Sequence, residues 1–157
     1  MCVEKEIAAN QKAIDYRINA TAMLLEGVLR VIYAWQNELA KTCSADVVRN
    51  TIPIPVPVIQ GRRISDYLRS LELMMAVWER WQPWIDAPRL IGLGSVCRRN
   101  LEDREEGLYA ILAGLEGRLP PEAALHLFGA KGRYLSHVKM YDWIAGADSW
   151  PLTSEHG

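Results

Sequence analysis

Ile52-Pro-Ile-Pro-Val-Pro-Val-Ile-Gln-Gly61 is the stretch whose reading decides the fold. Proline alternates here with β-branched residues. Proline has no N–H to donate and biases the residue before it toward extended geometry, so the stretch is not helical. Prolines suit the start of a strand and not the middle of a ladder. The reading is a strand over Val56 to Ile59 that closes at Gln60-Gly61.

Helical patterns flank it. Upstream, Ile14, Ile18, Ala22, Leu25, Leu29, Ile32 and Leu39 recur at spacings of three, four and seven. That is one face of a 3.6-residue period, and it predicts a helix from Glu4 to Lys41, weakened locally by Gly27. Thr42 to Asn50 reads as a turn or loop in which Ser44 or Asp46 can cap. Downstream, Ser65 opens a helix to Trp84 with Leu68, Leu71, Met75, Trp78 and Trp81 as its apolar stripe, bounded by Pro83 and Pro88. Arg89 to Val96 is a short apolar run with two glycines, read as a buried strand and its exit. A helix over Leu101 to Glu116 follows, with Leu108, Ile111, Leu112 and Leu115 inside and Gly117, Pro120 and Pro121 as its stop. Ala124 to Phe128 is a third strand, Tyr134 to Lys139 a short helix, and Trp143 to Ala147 a fourth strand closed by Asp148-Ser149.

Strands that alternate with helices call for a parallel sheet with helices outside it. Gln60, Gly94 and Gly129 end successive strands at intervals of 34 and 35 residues, close to one βα repeat, and the last interval, to Asp148, is 19. Four strands cannot close an eight-stranded barrel. The fold class is therefore α/β: a partial (β/α) TIM-type barrel needing completion, or a small open sheet. The expected organisation is one domain over 1–157, with 1–50 a helical lead-in and 51–150 the βα repeats.

Composition narrows the function classes. Half of the 157 residues are apolar and the formal net charge is -1, so no global basic field advertises nucleic acid, although a local patch is compatible with that average. No apolar run approaches the roughly 20 residues of a membrane span. Met1-Cys-Val-Glu-Lys-Glu6 has no apolar signal core, which makes cytoplasmic the default expectation. Cys2, Cys43 and Cys97 are too few and too far apart for a disulfide framework or a zinc site. Trp78, Trp81 and Trp84 stand three apart, which predicts a helix burying large rings, or alternatively an aromatic surface for a partner.

In parallel α/β folds the chemistry sits at the carboxyl ends of the strands. The four exits here are Gln60-Gly61-Arg62, Gly92-Leu93-Gly94-Ser95, His126 with Gly129 to Lys131, and Asp148-Ser149. Gln60 has donors and an acceptor suited to the edge of a heterocyclic base, or to fixing a loop. Gly92 and Gly94 would let a planar ligand approach the backbone, or would serve a turn of positive φ. The missing third glycine excludes a dinucleotide fingerprint. His126, inside an apolar strand, reads as a core histidine. Arg98 and Arg99 suit phosphate better than they suit activation of the Cys97 thiol. A hydrolase using Ser95 or Cys97 is disfavoured by the lack of a Gly-x-Ser-x-Gly elbow. Asp148 is placed either to meet a small substrate or to cap the next turn, and the pattern alone leaves both open.

Pro57-Val-Ile-Gln-Gly61, Gly92-Leu-Gly-Ser-Val-Cys-Arg-Arg99, Leu125-His-Leu-Phe-Gly-Ala-Lys131 and Ala147-Asp-Ser-Trp150, in this order and spacing, resemble the tRNA-guanine transglycosylase superfamily. The likeness is greatest to the branch that inserts 7-deazaguanine bases into DNA. It covers residues 52–150, and Arg17-Ile-Asn-Ala-Thr21 resembles that branch more weakly. The resemblance implies a barrel enzyme that exchanges a purine without breaking the strand. Asp148 would be the catalytic nucleophile, and Gln60, Gly61, Gly92, Leu93, Gly94 and Ser95 would hold the base. Arg98, Arg99 and Lys131 are our own candidates for nucleic-acid contacts. The implied partners are DNA or tRNA and a 7-deazapurine base; no cofactor, metal or membrane is expected.

The family's base-binding Asp stands just before the segment resembling Met1-Cys-Val-Glu4, and its acid–base Asp lies further upstream. No Cys spacing of its zinc-binding tail follows Asp148. The expectation is thus a subunit or fragment completed by a second chain or a homo-oligomer. The alternative is a non-catalytic remnant or interaction protein that retains half of the barrel.

Overall fold

The structure, a computed structural model, describes residues 10–96, 100–130 and 141–148. Helix α1 (Gln11–Leu39) and the short helix α2 (Ala45–Thr51) lead into strand β1 (Val58–Ile59). Then come α3 (Ile64–Trp81), β2 (Leu90–Leu93), α4 (Leu108–Leu115), β3 (Ala124–Leu127) and β4 (Ile144–Ala147). The four strands form one parallel sheet in the order β1-β2-β3-β4. A parallel sheet alternating with helices is the expected α/β class, and it is consistent with a partial (β/α) barrel.

Side-chain alternation separates the two faces of the sheet. Ile59, Ile91, Leu93, Leu125 and Leu127 are fully buried. They share one core with Tyr67, Leu71, Met74 and Trp78 of α3, Ile111, Leu112 and Leu115 of α4, and Leu25, Leu29 and Ile32 of α1. The opposite face carries the row Val58, Gly92, His126 and Gly146, which are paired across the sheet.

Several boundaries differ from the sequence reading, each for a local reason. β1 is only two residues long, because Pro53, Pro55 and Pro57 offer no N–H to a ladder. Thr42 to Asn50 is not all loop: Ser44 caps Val47 N and starts α2, which buries no residue and so left no apolar period to read. The helix expected from Leu101 begins at Leu108. Asp103 Oδ1 accepts the N–H groups of Glu105 and Glu106 at 2.9 and 2.8 Å, and this side-chain turn competes with a helical start. The tryptophans divide between the two expectations. Trp78 is buried and donates to Asp86 O at 2.8 Å, whereas Trp84 is exposed and stacks edge-on with Tyr33 and Trp81. The helix expected over Tyr134 to Lys139 lies outside the described residues.

The first helix is tied laterally to the sheet's cover. Gln11 Nε2 donates to Asp66 Oδ1 at 2.9 Å, Arg69 pairs with Asp15 at 2.7 Å, and Glu26 accepts from both Arg80 and Trp81. Asp66 is the buried member of this set. Its Oδ2 accepts the N–H groups of Arg62 and Arg63, each at 2.9 Å, and so caps α3. Burial by itself would push this carboxyl up. The Arg63 and Arg62 N–H donors, the Gln11 amide and the Arg63 charge together outweigh burial and hold it below its usual value.

A carboxyl depressed in the folded state gives stability that is present above its unfolded value of about 3.9 and lost as pH falls through the folded value. Asp66→Ala is expected to cost about 2 kcal/mol at neutral pH in urea unfolding, through loss of the side-chain cap on the first N–H groups of α3 and of the Gln11 bond. The gap between wild type and Asp66→Asn should narrow as the solution is acidified through that range. A gap independent of pH would contradict the cap.

Candidate active site

The register of the sheet builds the site. Ile59, Leu93, Leu127 and Ala147 form one row across the four strands. In the next row, Gly94 N donates to Ile59 O at 2.9 Å, Phe128 N to Leu93 O at 3.1 Å and Asp148 N to Leu127 O at 3.2 Å. Gln60, Gly94, Phe128 and Asp148 thus stand at one level, on the face turned away from α3 and α4. With adjacent strands ~4.8 Å apart, the exits of β1 and β4 are separated by roughly 14 Å.

Asp148 closes this row at β4. Its Oδ1 accepts Gly129 N–H at 2.8 Å, and His126 Nε2 stands 3.6 Å from the same oxygen. Its Oδ2 accepts no hydrogen bond from the described residues, and the side chain is 55% exposed. The carboxylate is tied back through Oδ1 across the sheet to the β3 exit. Sequence reasoning missed His126 as a neighbour of this oxygen. His126 sits on the open face, edge-on to Phe128 with ring centroids 5.0 Å apart, and the only signal of its position was the parity it shares with Asp148 across a parallel pair.

Gln60 is fixed from the opposite end of the row. Its backbone N–H donates to Ser70 Oγ at 3.2 Å. Its side-chain Nε2 donates to Thr21 Oγ1 and, at 3.4 Å, to Arg17 O. Thr21 Oγ1 itself donates to Arg17 O at 2.8 Å. A carbonyl only accepts, so the amide nitrogen must face α1. Both N–H bonds are then used, and Oε1 is left as an acceptor. The loop-fixing role and the base-reading role therefore fall to opposite ends of one amide. Arg17 and Thr21 bound the α1 segment whose resemblance was weak in sequence.

The glycines serve packing. A Cβ on Gly92 would lie 2.2 Å from the Phe128 ring, which covers that position. A Cβ on Gly61 would lie 2.4 Å from Asp66 Cβ, where the β1 exit presses on the α3 cap. Gly94 O accepts from the Tyr67 hydroxyl at 2.8 Å, and Leu93 is buried in the core. Neither Gly92 nor Gly94 has positive φ. That conformation occurs at Ser95 (φ 61°) and Gly129 (φ 72°), one step past the sheet. For Ser95 it carries a cost of about 1–2 kcal/mol, borne at the mouth of the β2 exit. Arg98, Arg99, Lys131 and Cys97 lie outside the described residues. Among the described residues no three His, Cys, Asp or Glu side chains are grouped to hold a metal ion, and no helix is long and apolar enough to cross a membrane.

Comparison with known proteins adds one finding. A family model described as DpdA, DeoxyPurine in DNA protein A, matches residues 23–155, from within α1 past Asp148. No curated protein and no solved structure matches the chain.

The contact of Gly92 with Phe128 is testable. Gly92→Ala should destabilise by about 1–3 kcal/mol through overpacking. Adding Phe128→Leu should recover at least half of that loss, a coupling read from urea unfolding of the single and double variants. Additive effects would contradict the packing described.

Proposed function

The chain belongs to the DpdA family, DeoxyPurine in DNA protein A, and from that premise we propose that it exchanges a guanine in DNA for a 7-deazaguanine, with Asp148 as nucleophile. The observation that carries this reading is the Asp148 carboxylate at the strand exits, held through Oδ1 by Gly129 N–H with Oδ2 left to react.

Asp148 Oδ2 attacks C1′ of the target deoxynucleoside. The C1′–O bond forms as the glycosidic C–N bond breaks, and guanine leaves with the bonding pair and takes up a proton. A 7-deazaguanine then attacks C1′ through its ring nitrogen, loses that nitrogen's proton, and releases the carboxylate. Two inversions retain configuration, and the phosphodiester strand is never cut. In the glycosyl-enzyme, Oδ1 is the ester carbonyl oxygen. Gly129 N–H stabilises charge returning to it in the second step, as a fixed donor does at any developing oxyanion. His126 acts as a positioning residue for the same oxygen, since distances of this kind tighten in loaded sites.

Gln60 Oε1 accepts from the donor edge of the base. The roughly 14 Å between the β1 and β4 exits suits a nucleoside and the two side chains that meet it. Ser95, half-buried just past β2, lies on the floor between them, while Gly61, Gly92, Leu93 and Gly94 would support that floor from beneath through their packing. Arg98, Arg99 and Lys131 contact the phosphates, a sequence-independent role. Four strands provide half of a closed barrel, so the remaining strands and the acid that protonates guanine come from the rest of the barrel, in this polypeptide or another.

The experiment combines the protein, with the barrel completed, with guanine-containing duplex DNA and a 7-deazaguanine, and reads the products on a denaturing gel. Wild type should form a DNA–protein adduct that chases into modified DNA. Asp148→Ala and Asp148→Asn should abolish the adduct and lower exchange by about three orders of magnitude or more, near 4 kcal/mol of barrel-held transition-state stabilisation. An adduct that survives both substitutions would overturn Asp148 as nucleophile. No adduct and no exchange by the completed wild type would favour a non-catalytic interaction protein.

A further inference from the structure

We propose that His126 serves one half of the reaction: as a positioning residue it speeds release of the sugar from Asp148 and not the attack that loads it, and Gly146 keeps the room it needs. The inference rests on the base-exchange reading and deepens it. It begins with two glycines on the open face of the sheet. His126 has Gly92 beside it on β2 and Gly146 beside it on β4. The Phe128 ring covers Gly92 and stands edge-on to the imidazole, with centroids 5.0 Å apart. The β2 side is thereby filled, and the imidazole lies over β4. A Cβ on Gly146 would lie 3.4 Å from His126 Nδ1 and 3.8 Å from its Cε1. A methyl there would just touch the ring, and a branched side chain would press it away. From this seat Nε2 reaches diagonally across the parallel pair to stand 3.6 Å from Asp148 Oδ1.

A donor at Oδ1 acts unequally on the two displacements. An ionised carboxylate accepts a hydrogen bond more strongly than a neutral ester carbonyl does. In the first step Oδ2 bonds to C1′, guanine leaves with the pair of the C–N bond, and the carboxylate gives up its charge. A donor at Oδ1 stabilises the start of that step more than its end. In the second step the ring nitrogen of the 7-deazaguanine bonds to C1′ and loses its proton, while the C1′–Oδ2 pair returns to Asp148. Charge then redevelops over both carboxylate oxygens, and a donor already aimed at Oδ1 stabilises it. With its proton on Nε2 the imidazole is such a donor, beside the Gly129 N–H that already bonds the same oxygen. His126 thus favours the free carboxylate over the glycosyl-enzyme and keeps the adduct short-lived.

Single-turnover kinetics of the protein with its barrel completed test the proposal. Adduct formation on guanine-containing DNA and its decay on addition of 7-deazaguanine are timed separately on denaturing gels. Both rate constants come from active molecules alone, so a partly unfolded variant still reports. His126→Phe keeps a ring and removes the donor. It should form the adduct within about threefold of the wild-type rate and release it about tenfold more slowly or worse. His126→Gln restores an N–H donor and should return release to within about threefold of wild type. Gly146→Val should follow His126→Phe, because it moves the ring and leaves Asp148 in place. Equal slowing of both steps in His126→Phe would mark a merely structural role and overturn the proposal, as would unchanged release. Those results leave Asp148 standing as nucleophile. A completed wild type that forms no adduct would instead overturn the base-exchange reading and this inference with it.

Discussion

Three backbone hydrogen bonds, Gly94 N to Ile59 O, Phe128 N to Leu93 O and Asp148 N to Leu127 O, fix the level at which the chain leaves its sheet. Each joins the first residue past one strand to the last carbonyl of its neighbour. Because side chains alternate, the register that buries Ile59, Leu93 and Leu127 against the helices also commits the following residues to the opposite face. A slip of one residue would bury His126 and Asp148 in the apolar core and expose the leucines. Core packing and site assembly are therefore the same constraint seen from two sides of the sheet.

The helices secure that register at the β1 end. Asp66 draws the turn after β1 onto α3, and Gly61 permits the close approach. Tyr67 pins the Gly94 carbonyl, and Thr21 with the Arg17 carbonyl turns the Gln60 amide nitrogen toward α1. At the β4 end the restraint is lighter: one N–H from Gly129 and a nearby imidazole orient a carboxylate that stays open to solvent. The β1 end is thus the more rigidly held and the β4 end the more open, an asymmetry that the proposed base exchange would use.

Much of this was legible in the sequence because it is local. Alternating prolines marked the extended approach to β1, though its ladder begins at Val58 and not Val56, and short apolar runs marked β2 and β3. The polar and glycine residues at the strand exits singled out Gln60, Gly94 and Asp148, which the sheet register brings to one level. What escaped was non-local or had no period. The seven residues of α2 include no fully buried side chain, only Val48 resting against the core, so they carry no stripe to detect. The Asp103 turn replaced a helical start through side-chain bonds that composition does not reveal. Gly92 invited a ligand or a positive φ, but Phe128, 36 residues on, explains it. Partners of Gln60 lie 39 and 43 residues upstream, and His126 reads as core until β4 is laid beside β3.

The account turns on which atom becomes bonded to the sugar. Peptide mapping by mass spectrometry of the adduct formed with guanine-containing DNA, after acid quench and nuclease digestion, measures this directly. The account predicts a deoxyribosyl mass on the peptide containing Asp148, sequenced to that residue. The same mass on any other residue, or a modified DNA product formed by the completed wild type with no adduct on that peptide, would contradict it.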